Sequence, residues 1–171
     1  MWKLNYKDRN KGFTLTELIV TISIIVVLYC SITKLYGSRT EAKDWETDFK
    51  KASSDARASG KYIMLDFSGS DWCGWCIKLE KEVFSQGAFK YFAEKELVCV
   101  LVDFPRKKKQ TGEQKQQNRD LATKYGIRGY PTIIILSPDG ELVGKSGYLR
   151  GGSKNYVLHL NEIIERHEAK Q

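Results

Sequence analysis

From residue 44 onward, short apolar runs alternate with segments whose apolar positions recur at helical spacing. The runs Tyr62-Ile63-Met64-Leu65, Leu97-Val98-Cys99-Val100-Leu101-Val102 and Thr132-Ile133-Ile134-Ile135-Leu136 are almost unbroken. Such runs predict buried strands, and the second has the signature of a central strand covered on both faces. Trp45, Phe49, Ala52 and Ala56 predict a helix capped by Asp44 and ended at Ser59-Gly60. Leu79 and Val83 predict a helix over 77–84, continuing from Ser85 to Glu96 with Phe89 and Phe92 inward. A short helix is expected over 118–125. A last one is expected over 154–170, with Tyr156, Leu160, Ile163 and Ile164 inward. Ser137-Pro138-Asp139-Gly140 has Pro and Gly where a type I turn favours them, so 132–136 and 141–148 should pair as an antiparallel hairpin. Polar residues 106–117 predict an exposed loop. Alternation closed by a hairpin predicts an α/β domain, a mixed central sheet flanked by helices.

The N-terminal segment has a different pattern. Between Leu18 and Thr33 no residue is charged. From Phe13 to Tyr36 an α-helix would be about 36 Å long, enough for a hydrocarbon core of ~30 Å. Lys3, Lys7, Arg9 and Lys11 precede this segment. The positive-inside bias therefore puts the N-terminus in the cytoplasm and the following domain outside it. The expected organisation is a basic leader (1–12), a single-pass anchor in the cytoplasmic (inner) membrane (13–36), a linker (37–43) and a folded domain (44–171). Glu17 is out of place in such an anchor, because a carboxylate there costs roughly 2.5–3.5 kcal/mol on insertion scales.

Charge and cysteine count narrow the function. The 171 residues carry a formal net charge of +7. The excess sits at the N-terminus and in Arg106-Lys107-Lys108-Lys109 rather than on a continuous basic face. The basic run is expected to be solvated surface, and nucleic acid is not an expected partner. The chain has four cysteines. Cys30 lies in the apolar segment and Cys99 in a strand, where a small core role is expected. No disulfide framework is suggested. There is no second Cys-x-x-Cys, and both histidines, His159 and His167, lie near the C-terminus. No metal site is expected.

The remaining pair, Cys73 and Cys76, falls where a strand should end and a helix begin. Free N–H groups and the positive dipole end of a helix stabilise an anion, so a thiol there ionises more readily. The thiolate is the species that attacks a disulfide. A cysteine one helical turn on can return and close a disulfide.

Trp72-Cys73-Gly74-Trp75-Cys76 after an apolar strand resembles the active site of the thioredoxin superfamily. Gly126-Ile127-Arg128-Gly129-Tyr130-Pro131-Thr132 resembles that superfamily's second signature, a turn ending in a cis-proline. The resemblance covers roughly residues 42 to 170 and implies a thioredoxin fold. It implies that Cys73 attacks and Cys76 resolves. It also implies that Trp72, Gly74, Trp75, Tyr130 and Pro131 contact substrate, with the Tyr130 backbone pairing with an extended segment. Asp66 corresponds to the superfamily's buried proton-transfer carboxylate. Its interval to Cys73 is one residue longer than the common spacing, and Asp71 is a nearer competitor. Trp75 stands where thioredoxin has proline, which leaves the redox potential open, and the absence of histidine between the cysteines favours a reductant.

Gly12-Phe13-Thr14-Leu15-Thr16-Glu17 resembles the cleavage and methylation motif of type IV prepilins and pseudopilins. That implies a cut between Gly12 and Phe13, with Glu17 as the fifth mature residue; a plain signal anchor is the alternative. The expected function is thiol–disulfide exchange outside the cytoplasm, as a membrane-anchored reductase. It would need no cofactor, act on protein thiols and disulfides, and exchange electrons with a redox partner protein. A disulfide isomerase or oxidant, and a pseudopilin-like assembly component with an adaptor domain, are the alternatives.

Overall fold

The computed structural model describes residues 19–26 and 45–170. By internal contacts the chain forms two units, Met1–Glu41 and Ala42–Gln171. In the first, residues 19–26 are helical with their apolar side chains uncovered. The rest of the expected anchor lies outside the described residues, as do Gly12, Phe13, Glu17 and Cys30. Among the described residues, no helix is long and apolar enough to cross a membrane.

The second unit runs α1 (Phe49–Ser59), β1 (Tyr62–Ser68), α2 (Gly74–Leu79), a π-helical turn (Glu80–Phe84), α3 (Gly87–Glu96), β2 (Leu97–Asp103), α4 (Gly112–Lys124), β3 (Thr132–Leu136), β4 (Leu142–Ser146) and α5 (Gly152–Glu168). The sheet order is β2-β1-β3-β4. β1 runs parallel to β2 and antiparallel to β3, and β3 and β4 form the expected hairpin. This is a mixed sheet with helices on both faces.

Period-two alternation along β1 sorts the core. Ile63, Leu65 and Phe67 join Ala52, Ala56 and Leu121 of α1 and α4 on one face. Tyr62 and Met64 join Leu79, Val83, Phe89, Tyr156 and Leu160 on the other. Asp66 keeps step with Tyr62 and Met64, so it falls on the face that carries α2, the π turn and α5.

Several boundaries differ from the sequence reading. α1 starts at Phe49, with Asp48 as its cap accepting N–H bonds from Lys50 and Lys51; Asp44 lies outside the described residues. Trp45 is therefore not on the helical stripe and instead packs on Phe84 and Phe89. β2 is an edge strand, and the strands flanked on both sides are β1 and β3, each buried at every position. Glu46 covers the free edge of β2: its N–H donates to Cys99 and its carbonyl accepts from Leu101. That strap accounts for an unbroken apolar run at an edge, and Cys99 is half-buried rather than fully enclosed. The helix expected to run through Ser85 is interrupted, and α3 begins afresh at Gly87. α4 starts at Gly112, capped by the Thr111 hydroxyl, six residues before the expected start at 118, so the predicted loop is shorter. Local capping by Thr111 outweighs the weak apolar pattern there.

Phe89 is 1 % exposed, stacks on Trp45 and meets the Phe84 ring at a tilt. Phe89→Ala should cost about 3–5 kcal/mol in denaturant unfolding with the m-value unchanged.

Candidate active site

β1 delivers the chain to the cysteine pair through Gly69-Ser70-Asp71-Trp72. Cys73 and Cys76 form a disulfide, with Cα atoms 5.2 Å apart. Cys73 is the N-cap of α2, and the Cys76 N–H donates to its sulfur at 3.2 Å. The Ile77 N–H donates to the Cys73 carbonyl. The sulfur of Cys73 thus occupies the place of an N-capping oxygen, where partial positive charge collects. α2 runs without a break into the π-helical turn, so Leu79, Val83 and Phe84 stay in the core and hold that terminus rigidly.

The loop before the cysteines is tied down by polar groups, of which the sequence singled out only Asp71, and as a competitor for proton transfer. Ser70 donates to both oxygens of Asp103, by its N–H at 2.8 Å and its hydroxyl at 2.6 Å. The Asp103 carbonyl accepts from Asn118 Nδ2 and Gln110 Nε2. The carboxylate of Asp71 accepts the backbone N–H groups of Arg106, Lys107 and Lys108 at 3.0, 2.7 and 3.2 Å. Those bonds, that of Arg106 first, hold its pKa below the usual carboxylate value. Asp71 is therefore a loop anchor, and the basic run, exposed as expected, is a turn folded around it. The signal was available in the sequence: an Asp in a turn is a habitual acceptor of backbone amides, but its partners are distant in sequence.

Trp72 is 37 % exposed. Its indole N–H donates to the Phe104 carbonyl at 2.8 Å. Its ring meets Tyr130 edge-on at 5.9 Å, and the Arg106 guanidinium lies 4.1 Å from its centroid. A Cβ at Gly69 would stand 2.5 Å from that indole, so only glycine lets Trp72 lie back across the loop. Trp75 projects on the other side of the cysteines, 54 % exposed, with its ring 5.0 Å from Tyr148. Lys78 sits over both rings, and the Tyr148 hydroxyl donates to Glu82 at 2.7 Å. Gly74 is exposed between the cysteines. The Tyr130–Pro131 peptide is cis, the isomer implied by the resemblance. A Cβ on Gly147 would lie 3.3 Å from the Pro131 carbonyl, so the end of β4 packs against that turn. The structure thus gathers Trp72 and Tyr130 on one flank and Trp75 on the other. Tyr148, Lys78 and Arg106 join them unforeseen.

Asp66 is 6 % exposed, and its Oδ1 has no hydrogen-bond partner. It does not end its strand, which continues to Ser68, and Oδ1 caps no local amide. Burial raises its pKa to about 8, and the carboxylates of Glu80 and Asp103 add to that. Asp66 is therefore largely protonated at neutral pH, poised to exchange a proton within the pH range where thiols ionise.

Among the described residues, no cluster of His, Cys, Asp and Glu is arranged to hold a metal ion. His159 instead shares a hydrogen bond with the Ser146 hydroxyl at 3.0 Å.

Asp66 also makes a stability prediction. Between pH 4 and 8 the unfolded chain releases a proton that the folded chain retains, so wild-type stability falls as pH rises through that window. Asp66→Asn removes this loss. The variant should gain at least about 1 kcal/mol more over wild type at pH 8 than at pH 4 in paired unfolding curves.

Comparison with known proteins agrees with this geometry. A thioredoxin-like domain model matches residues 49–158, and a prokaryotic N-terminal methylation motif matches residues 7–28. The disulfide bond reductase DsbH of Chlamydia pneumoniae is 37 % identical over 121 residues, which cover 71 % of this chain and 72 % of that protein. The thioredoxin-related protein DsbJ of the same organism is 26 % identical over 166 residues, covering 91 % of this chain but only 47 % of DsbJ. A solved structure of a DsbH oxidoreductase superimposes with a TM-score of 0.68 at 34 % identity, over 71 % of this chain and 84 % of that one. The chain belongs to the thioredoxin-like family and is a thiol–disulfide oxidoreductase.

Proposed function

We propose that the chain is a membrane-anchored reductase of protein disulfides outside the cytoplasm, and that Cys73 and Cys76 are its whole redox unit, with no cofactor. The observation that carries the chemistry is the Cys76 N–H directed at the Cys73 sulfur on the first turn of α2. In the reduced protein the Cys73 thiolate attacks a substrate disulfide. One S–S bond forms between Cys73 and substrate, the substrate's own S–S bond breaks, and one substrate thiolate leaves and takes up a proton. Cys76 then gives its proton to Asp66 in its ionised form, the minor one at neutral pH, and Asp66 passes it on to solvent. The Cys76 thiolate attacks the Cys73 sulfur and releases the second substrate thiol. Two electrons have moved to the substrate, and the protein is left as the Cys73–Cys76 disulfide. A partner dithiol protein returns it to the reduced form by the same steps in reverse.

Trp72, Gly74, Trp75, Tyr130 and Pro131 form the substrate rim. The backbone beside the cis-proline pairs with an extended substrate segment, and the two indoles wall the disulfide on either side. The reductive direction is supported by the lack of histidine between the cysteines and by the likeness to a protein named as a disulfide bond reductase. Anchoring and an extracytoplasmic domain are supported by the uncharged stretch from Leu18 to Thr33, the basic residues before it and the methylation motif over 7–28. In this reading Gly12 and Phe13 flank a processing site, and Glu17 serves the mature N-terminus.

The methylation motif also favours a second reading, a pseudopilin-like assembly component whose thioredoxin-like domain is an adaptor. A cellular function lost with Glu17→Ala but intact with Cys73→Ser would select it.

The trapping experiment tests the first reading. Cys76→Ser removes the resolving thiol, so the full-length variant should accumulate a mixed disulfide through Cys73, seen on non-reducing gels and mapped by mass spectrometry. Cys73→Ser should trap none. Equal trapping by both variants, or by neither, would contradict the assigned roles.

A further inference from the structure

The rim around the cysteine pair carries an uneven charge. On the Trp75 side, Lys78 lies over Trp75 and Tyr148, but Glu82 stands 3.8 Å from its ammonium. That cation is matched. On the Trp72 side the arrangement is different. Arg106 stacks on Trp72, and Lys107 and Lys108 follow it in the same exposed turn. Among the described residues, none of the three is ion-paired with a carboxylate. Lys108 reaches only the Ser70 hydroxyl, at 3.0 Å. Asp71 directs its oxygens at the backbone amides of those same three residues rather than at their side chains. It holds the turn in shape and leaves the Arg106 and Lys107 side chains without an ion pair among the described residues. Trp72, Tyr130 and Phe104 form the apolar floor below, the Tyr130 ring centroid lying 5.9 Å from that of Trp72 and 5.3 Å from that of Phe104.

Resting on the oxidoreductase reading above, we propose that this one-sided turn makes the site selective for protein partners whose reacting cysteine lies in an acidic segment, with the partner's Asp or Glu against Arg106 and Lys107. Three features support this occupant over a neutral or basic one. The cations without an ion pair, set against the single carboxylate of Asp71 at that turn, lie on one flank only. Arg106 is held over an exposed indole, so its side-chain entropy is already reduced before a partner arrives. The turn is anchored by three hydrogen bonds rather than left loose. Rim charges of this kind act mainly on the encounter rate and make it salt-dependent.

The test uses the reduced full-length protein in detergent and three synthetic peptides. Each peptide has one cysteine in disulfide linkage to a chromogenic aromatic thiol, and they differ only in flanking residues: Glu, Gln or Lys. Attack by Cys73 forms the Cys73–peptide disulfide and expels the aromatic thiolate, and closure by Cys76 frees the peptide. The second-order rate should favour Glu over Lys peptide by about tenfold at low salt, shrinking towards unity at about 0.5 M salt. In Arg106→Glu/Lys107→Glu the ratio should fall below one. The milder Arg106→Gln, which leaves the backbone amides on Asp71, should reduce it in the same direction. Lys61→Glu/Lys95→Glu makes the same charge change just before β1 and β2, at the opposite end of these parallel strands, and should keep the wild-type ratio. Equal rates for the three peptides in wild type, or a ratio shifted alike by both double variants, would overturn the acidic-partner proposal alone. No aromatic thiolate released from any peptide would instead overturn the oxidoreductase reading beneath it.

Discussion

The contact on which the site depends is the one between the Cys76 N–H and the Cys73 sulfur, 3.2 Å apart on the first turn of α2. It exists because the chain passes from a fully buried strand to a helix within a few residues. β1 cannot shift, since its alternating side chains belong to two different cores. The helical segment that starts at Gly74 cannot roll, since Leu79, Val83 and Phe84 are buried along it. Between these fixed ends the loop has one arrangement, kept by Ser70 on Asp103 and Asp71 on the following turn. A thiol on a mobile loop would meet no oriented N–H groups, and its ionisation would be that of a free thiol.

The same framework assigns opposite electrostatics to the two reacting sulfurs' surroundings. At the helix start, the Cys76 N–H and the positive dipole end face the Cys73 sulfur, and Arg106 stacks on the neighbouring Trp72. Beneath, Asp66 is cut off from water and close enough to Glu80 and Asp103 to feel both. A buried carboxyl without a countercharge costs stability, and burial favours its protonated form.

Much of this was legible in the sequence because it is local. The strand-to-helix junction at Cys73, the hairpin around Pro138 and Gly140, and the inward set Tyr156, Leu160, Ile163 and Ile164 each follow from a short pattern, and all are present. What escaped depends on residues that meet only after folding. An apolar run alone could not show that β2 is an edge, because the Glu46 strap that covers it comes from far upstream. Nor could it show that Asp71 would gather the amides of 106–108, that Arg106 would settle on Trp72, or that Tyr148 would reach Trp75 and Glu82. Where local patterns compete, as at Ser85 and Thr111, caps and core packing set the boundaries rather than the apolar period.

The account rests on one sulfur being made reactive by the helix start it caps. Its most direct measurement is the alkylation of the fully reduced protein by iodoacetamide at mildly acidic pH, with each cysteine followed by mass spectrometry. Cys73 should react at least about tenfold faster than an ordinary free thiol under the same conditions, while Cys76 stays unmodified. Cys73 and Cys76 reacting at the same rate, no faster than the free thiol, would contradict it.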